Sequence, residues 1–283
     1  MKIKLEKIWL SSYDFIKKHP VVLTPFIVIS FLECLILEAA YFCTRNPLLI
    51  ILRPIVRKFF GEQFLHYPEN LVLMPRLFNF GQLALYILVN VFITGMAIQI
   101  FLNIKNSTPV IFKAIVRATA KKYMALFLYG LIYVIAILIL QKVEGFVFLN
   151  TIGFISRHLF KVPVKLVMIG SSLLFFFTST VLNVFLILVI PVIVIEKKQF
   201  IGAILRSMAL GAGNFIKLFC LLLLPLIFYL PILMMKAFLV AIMNKTFPEV
   251  SLYVMLLGIV IAVFIDCFIA ISTAQFLLDA KED

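Results

Sequence analysis

The sequence is poor in charge. Only 14% of its 283 residues are Asp, Glu, Lys or Arg, against about 25% in an ordinary soluble domain. That shortage excludes a soluble enzyme domain and a disordered tail, whose chains are charge-rich and apolar-poor. Cysteine is scarce too: Cys34, Cys43, Cys220 and Cys267 show no C-x-x-C spacing. A disulfide-stapled secreted fold is excluded, and the cysteines read as small packing residues. Three scattered histidines (His19, His66, His158) offer no metal-ligand spacing, and no Ser/His/Asp set stands out. There is no P-loop, no G-x-G-x-x-G and no H-E-x-x-H. The expectation is a chain without catalytic residues, metal or cofactor, and not an enzyme. Residues 1–19 lack a short apolar core and a small-residue cleavage site, so a signal peptide is not expected there.

What is abundant is apolar surface. Hydrophobic residues make up 64% of the chain and the mean hydropathy is +1.16. Apolar stretches long enough to cross a ~30 Å hydrocarbon core occur at about 21–43, 77–102, 123–140, 166–195, 215–235 and 252–278. The expected fold is all-α and integral to the membrane: six transmembrane helices with amphipathic interfacial helices, in a single membrane domain over 1–283. Residues 1–19 carry Leu5, Ile8, Trp9 and Ile16 on one stripe, with lysines on other faces. That helix either lies at the lipid interface or packs on its own bundle. Residues 46–60 and 146–165 are apolar with interspersed Arg and Lys, too short to span, and read as further interfacial helices.

The basic residues outnumber the acidic, 26 to 13. With the N-terminus inside, fifteen of the 26 fall on the inner side, which sets both termini in the cytoplasm of a bacterial or archaeal cell. Inner amphipathic segments hold Lys113, Arg117, Lys121, Lys122, Lys197, Lys198 and Arg206. The outer surface holds Arg53, Arg57, Lys58, Arg157, Lys161 and Lys165. Such faces suit anionic membrane lipid or another membrane subunit. No module that reads nucleic acid is present.

The two inner loops resemble each other. Ala114-Ile115-Val116-Arg117-Ala118 aligns with Ala203-Ile204-Leu205-Arg206-Ser207, and the preceding spans carry Asn90-Val91-Phe92 and Asn183-Val184-Phe185. With the termini as a third, split copy, this gives a threefold-like repeat of helical hairpins in one orientation. It requires the first and sixth spans to be neighbours.

Pro191, Glu196, Ala203, Arg206-Ser207, Leu210 and Gly213-Asn214-Phe215 form a pattern, P-x-x-x-x-E … A-x-x-R-S … L … G-N-F. It resembles a stretch in bacterial and archaeal six-span membrane proteins related to the membrane domain of glycerophosphoryl diester phosphodiesterases. The resemblance implies a six-span architecture. The catalytic barrel of those enzymes has no counterpart here, so their hydrolase activity does not transfer.

Three carboxylates lie within spans: Glu33, Glu38 and Asp266. A charge at mid-bilayer costs ~2.5–3.5 kcal/mol on insertion scales, so such groups face a partner or water. Glu33 and Asp266 are near the centres of spans that the repeat makes adjacent. Two close carboxyls would share a proton, the logic of a proton relay or cation site. Alternatively, they bond Asn90, Asn183, Thr273 or Gln275 and hold the bundle together. Glu38 is nearer the outer end, within reach of Arg45 or Arg53. The functional expectation is a non-enzymatic inner-membrane protein, lipid-interacting or a subunit of a membrane complex. The alternatives are a proton-coupled or small-solute transporter using the intramembrane carboxylates, and an importer permease subunit.

Overall fold

The computed structural model describes residues 5–42, 48–158, 164–239, 242–243 and 246–282. Every regular element among them is helical. Six helices are long and apolar enough to cross a membrane: Pro20–Tyr41, Glu69–Lys105, Tyr123–Val147, Leu174–Ile195, Phe215–Lys236 and Val250–Lys281. Six crossings return the chain to the face it started from. That face is called inner here, and the opposite one outer.

Helix α1 (Leu5–Lys18) runs into a short 3-10 turn and the first span, α2 (Thr24–Tyr41). Pro20 and Pro25 sit at the starts of these elements, where a missing N–H costs nothing. Amphipathic α3 (Leu48–Phe59) follows on the outer side. The second span joins α4 (Glu69–Leu85) to α5 (Val91–Lys105) through a π-turn at Tyr86–Asn90. After α6 (Phe112–Ala120), the third span is α7 (Tyr123–His158). The fourth is α8 (Val164–Leu186) and α9 (Val189–Ile195). It breaks at Ile187–Leu188 because Pro191 has no N–H for the Ile187 carbonyl one turn earlier. Helices α10 (Phe200–Gly213), α11 (Phe215–Ala237) and α12 (Val250–Glu282) complete the chain.

The six spans form a ring in chain order, closed by α12 packing on α2. The first and sixth spans are therefore neighbours, the placement that the three-unit arrangement requires. On the inner side, α5, α9 and α12 also meet one another across the centre. Their buried faces (Ile93 to Phe101, Leu188 to Val194, Cys267 to Leu277) fill that half with apolar side chains. A second apolar core lies toward the outer side. It joins Leu37 and Ala40 of α2, Leu71, Met74 and Phe78 of α4, and Val254, Met255 and Ile259 of α12.

Three short inner helices each turn one edge inward at i, i+4: Ile8 and Ser12 on α1, Ile115 and Thr119 on α6, Ala203 and Ser207 on α10. Each packs on the inward-running span before it in the ring: α1 on α12, α6 on α5, α10 on α8 and α9. Burial sets Ile115 opposite Ala203, one residue out of step with the sequence alignment that pairs Ala114 with Ala203. The stripe of α1 faces protein: Ile8 is buried in the main core, with Leu5 and Ile16 packed against it. Residues 1–4 of the expected 1–19 helix lie outside the described residues.

Two expectations change. Residues 146–158 do not form a separate interfacial helix; they continue α7, which at 36 residues is far longer than a bilayer crossing needs. An apolar run without a helix breaker propagates its helix, since each added residue gains a hydrogen bond. The second span likewise extends outward from residue 77 to Glu69.

Gly81 on α4 packs against Ile36 of α2. A methyl group there would collide with the Ile36 side chain. Gly81→Val should cost about 1–3 kcal/mol, the usual penalty for overpacking. The check is the melting temperature in detergent, which should fall by several degrees; an unchanged value would mean the two spans do not pack as described.

Candidate functional site

Between the two apolar cores lies a layer of polar side chains. On α2, Glu33 falls between Ile29 of the inner core and Leu37 of the outer one. On the second span, Gln82 and Tyr86 fall between Phe78 and Val91. On α12, Asp266 falls between Ile259 and Cys267. The third span adds Tyr129 and Tyr133, the fourth Asn183, and the fifth Tyr229 and Lys236. All six spans contribute.

The contacts inside the layer are specific. Gln82 Nε2 donates to Glu33 Oε1 at 2.9 Å. Lys236 Nζ donates to Tyr229 Oη at 3.2 Å and lies 5.7 Å from that ring's centroid. Tyr86 and Tyr133 lie with ring centroids 5.2 Å apart, and Tyr129 and Tyr133 at 6.0 Å. Tyr133 faces Asn183, and Tyr86 and Tyr133 both lie within electrostatic range of Asp266. Glu33 is in range of both Asp266 and Lys236. Gly258 of α12 makes room: a Cβ there would sit 3.2 Å from Tyr229 Oη and 3.4 Å from Lys236 Cε. Except for Tyr129, these polar side chains are half-buried within the bundle.

The π-turn at Tyr86–Asn90 sits at this level. A π-turn widens the helix by one residue and is frequent at functional sites. It redirects α4 relative to α5 and presents Tyr86 to the layer. The buried Asn90 Oδ1 has no hydrogen-bond partner.

Expectations and geometry differ in detail. Glu33 and Asp266 both lie at the level between the two apolar cores. The hydrogen bond to Glu33 comes from Gln82, while Thr273 bonds the Ile269 and Ala270 carbonyls of its own helix and Gln275 donates to Asp279. Glu38 is exposed, and Arg53 turns away from it to Glu62, which also takes Arg57 at 3.3 Å. Lys58 is exposed on the same helix. Arg157 and Lys165 fall on the backbones of α7 and α8, with side chains outside the description. Lys161 and Arg45 lie outside the described residues. Lys236, assigned by sequence to the outer loop, reaches back into the layer.

The tyrosines, Gln82 and Lys236 were not singled out in the sequence. A signal was present: a tyrosine at mid-span carries a hydroxyl that needs a partner in hydrocarbon. A second signal is Asp266-Cys267-Phe268 of the sixth span, which parallels Asn90-Val91-Phe92 and Asn183-Val184-Phe185. The middle residue of each triplet is buried. The sixth span thus carries an acid where the second and fourth carry an amide.

The chain matches no family model, no characterised protein and no solved structure.

The basic inner face has a different organisation. Glu196, with a side chain only 7% exposed, gathers Lys198 at 3.3 Å, Arg206 at 3.7 Å and Lys281 at 4.0 Å. These come from the loop after α9, from α10 and from the end of α12. Lys197 beside it adopts a left-handed backbone, φ +55°, which turns the chain sharply between α9 and α10. Lys122 Nζ donates to the Val194 carbonyl at 2.8 Å. Desolvation, then the charge of Lys197, hold the Lys122 amine below its ordinary range. The folded state therefore binds fewer protons at Lys122 than the unfolded chain, and this residue's contribution to stability rises with pH. Lys113, Arg117, Lys121 and Lys197 are exposed. The residues that carry the sequence resemblance thus form a joint: Pro191 breaks the span, Glu196 holds Arg206, and Ser207 Oγ donates to the Phe185 carbonyl at 2.6 Å.

Removing the carboxylate leaves three cations facing one another. Glu196→Gln should cost about 1–3 kcal/mol, a loss of a few degrees in melting temperature at low salt. Added salt should narrow the gap between wild type and variant by screening the cations. Equal melting at low salt would contradict the joint.

Proposed function

We propose that this polytopic membrane protein is a transporter that takes a small solute or a proton at the polar layer. The observation that carries this reading is the convergence of polar side chains from all six spans on one level between two apolar cores. Intramembrane ionisable groups are costly and mark substrate or proton paths when they face a common interior. Structural glue alone would need one or two hydrogen bonds, as between Glu33 and Gln82. It gives no reason for Lys236 to turn inward to Tyr229.

A lipid-interacting or complex-subunit role is the second reading. One observation favours it. Arg53, Arg57 and Lys58 line an open outer recess of about 580 Å³ with Pro54, beside the exposed apolar Ile50, Ile55 and Phe59. That combination suits an anionic headgroup and its acyl chain. The setting proposed is a bacterial or archaeal cytoplasmic membrane with both termini cytoplasmic, in line with the basic inner segments and the sequence resemblance to six-span membrane proteins. No enzymatic role is proposed.

The test is proton flux in sealed vesicles containing the full chain. The wild type should dissipate or build a pH gradient when a panel of small solutes is added on one side. Asp266→Asn should reduce that flux at least tenfold while melting near the wild-type temperature. Asn already occupies the parallel positions 90 and 183, so the amide fits the fold. Flux unaffected by Asp266→Asn would refute the reading. Vesicles with and without anionic lipid separate the second reading, because only there does the outer recess matter.

A further inference from the structure

We propose that the outer recess on α3 is a headgroup site for a phosphomonoester lipid of the phosphatidate type, held by Arg53, Arg57 and Lys58. The inference rests on the lipid-interaction reading above and names its headgroup; it does not depend on transport.

The surface of α3 divides into three parts, because successive residues of a helix are turned by about 100°. One side is committed to protein. Val56 is fully buried with Leu65 and Leu73, and Leu49, Phe60 and Leu77 pack beside them. Leu73 and Leu77 belong to the outer part of the second span, so α3 lies at the level of the outer headgroups. Arg53, Pro54, Arg57 and Lys58 fall together on one exposed flank and line the recess of about 580 Å³. Ile55 and Phe59 fall on the other flank, and both are exposed. At a membrane boundary an apolar flank faces acyl chains and a cationic flank faces headgroups. Exposed Ile50, one turn before Pro54, continues the recess as an apolar surface.

Charge identifies the headgroup. Glu62 takes Arg57 Nη2 at 3.3 Å and Arg53 Nη2 at 3.7 Å, one carboxylate oxygen to each. It holds the two guanidiniums side by side and cancels one of three positive charges. Each guanidinium keeps further N–H donors. Lys58 pairs with no acid among the described residues; its Nζ lies 5.8 Å from the Phe59 ring centroid. Two net positive charges therefore face the recess. A phosphodiester headgroup brings one negative charge. A phosphomonoester above its second ionisation brings nearly two, with three acceptor oxygens for the planar guanidinium forks. The monoester matches the site in charge and in donors. Free phosphate would match the charge, but it leaves Ile50, Ile55 and Phe59 without a counterpart, so the ligand is a lipid.

The test offers the full chain, purified in an uncharged detergent, phosphatidate, phosphatidylglycerol and phosphatidylcholine in equal amounts with the same acyl chains. Bound lipid is counted by native mass spectrometry. At about pH 9 phosphatidate should exceed phosphatidylglycerol roughly fivefold, the effect of one charge near a surface. At about pH 5 its headgroup is singly charged and the preference should vanish. Lys58→Gln should remove the preference at the higher pH while phosphatidylglycerol still exceeds phosphatidylcholine. Glu62→Gln adds a net positive charge and should tighten phosphatidylglycerol roughly fivefold. Both side chains are exposed, so both variants should melt with the wild type. Equal binding of the two anionic lipids would overturn the headgroup assignment and leave the lipid reading standing. A preference that survives Lys58→Gln would overturn the assignment to this recess. Displacement of phosphatidate by an equal concentration of glycerol 3-phosphate would overturn the lipid in favour of a soluble phosphate. No preference for anionic lipid over phosphatidylcholine would overturn the lipid reading as well.

Discussion

The constraint that organises this molecule is the cost of polar groups in hydrocarbon. Backbone groups are satisfied by making every span a helix. The side chains cannot be satisfied that way. Glu33, Asp266 and Lys236 would each be costly against lipid, and the chain gathers them with tyrosines, Gln82 and Asn183 on one level. The two apolar cores are the consequence. Below the layer, the inner halves of the second, fourth and sixth spans close on one another through Val91, Val184 and Cys267 and the residues that follow. Above it, α2, α4 and α12 form a smaller cluster around Phe78. The polar side chains between them stay half-buried, with apolar packing on both sides of the layer.

The inner face adds a second level of control over geometry. Glu196 ties the end of α12 to α10 and to the loop after α9, and Lys122 ties the start of α7 to the Val194 carbonyl. These are polar contacts between elements whose apolar halves form the inner seal. Their strength depends on salt, unlike the packing beneath them. The π-turn at Tyr86–Asn90 lies at the layer, and the interruption before Pro191 lies within the inner seal.

Much of the fold was legible because the bilayer leaves few choices. Charge depletion and run length suffice to give six helices, and caps such as Pro20 place an end within a residue or two. Length was misjudged where the membrane ends and the helix does not: α7 continues to His158 because nothing in residues 141–158 stops it. The site was half legible. A carboxylate in a span announces itself, so Glu33 and Asp266 could be named from the sequence. Their partners could not, since which face of α4 or α11 turns inward depends on packing. Hydropathy averages hide a tyrosine, and Lys236 sits at a span end, where a lysine ordinarily reaches outward to water. The buried edges of the inner helices, Ile115 and Thr119 against Ala203 and Ser207, differ by one residue from the pairing of Ala114 with Ala203.

The proposal's central claim is that the layer is a site reached from water. Thiol accessibility measures this directly. A single cysteine replaces Asn183 in a chain whose four native cysteines are changed to alanine or serine, and sealed vesicles of known orientation receive a membrane-impermeant thiol reagent from one side at a time. The account predicts labelling from one face of the membrane and protection from the opposite face. A cysteine at position 183 that reacts from neither side would contradict it, leaving the polar layer as dry structural support.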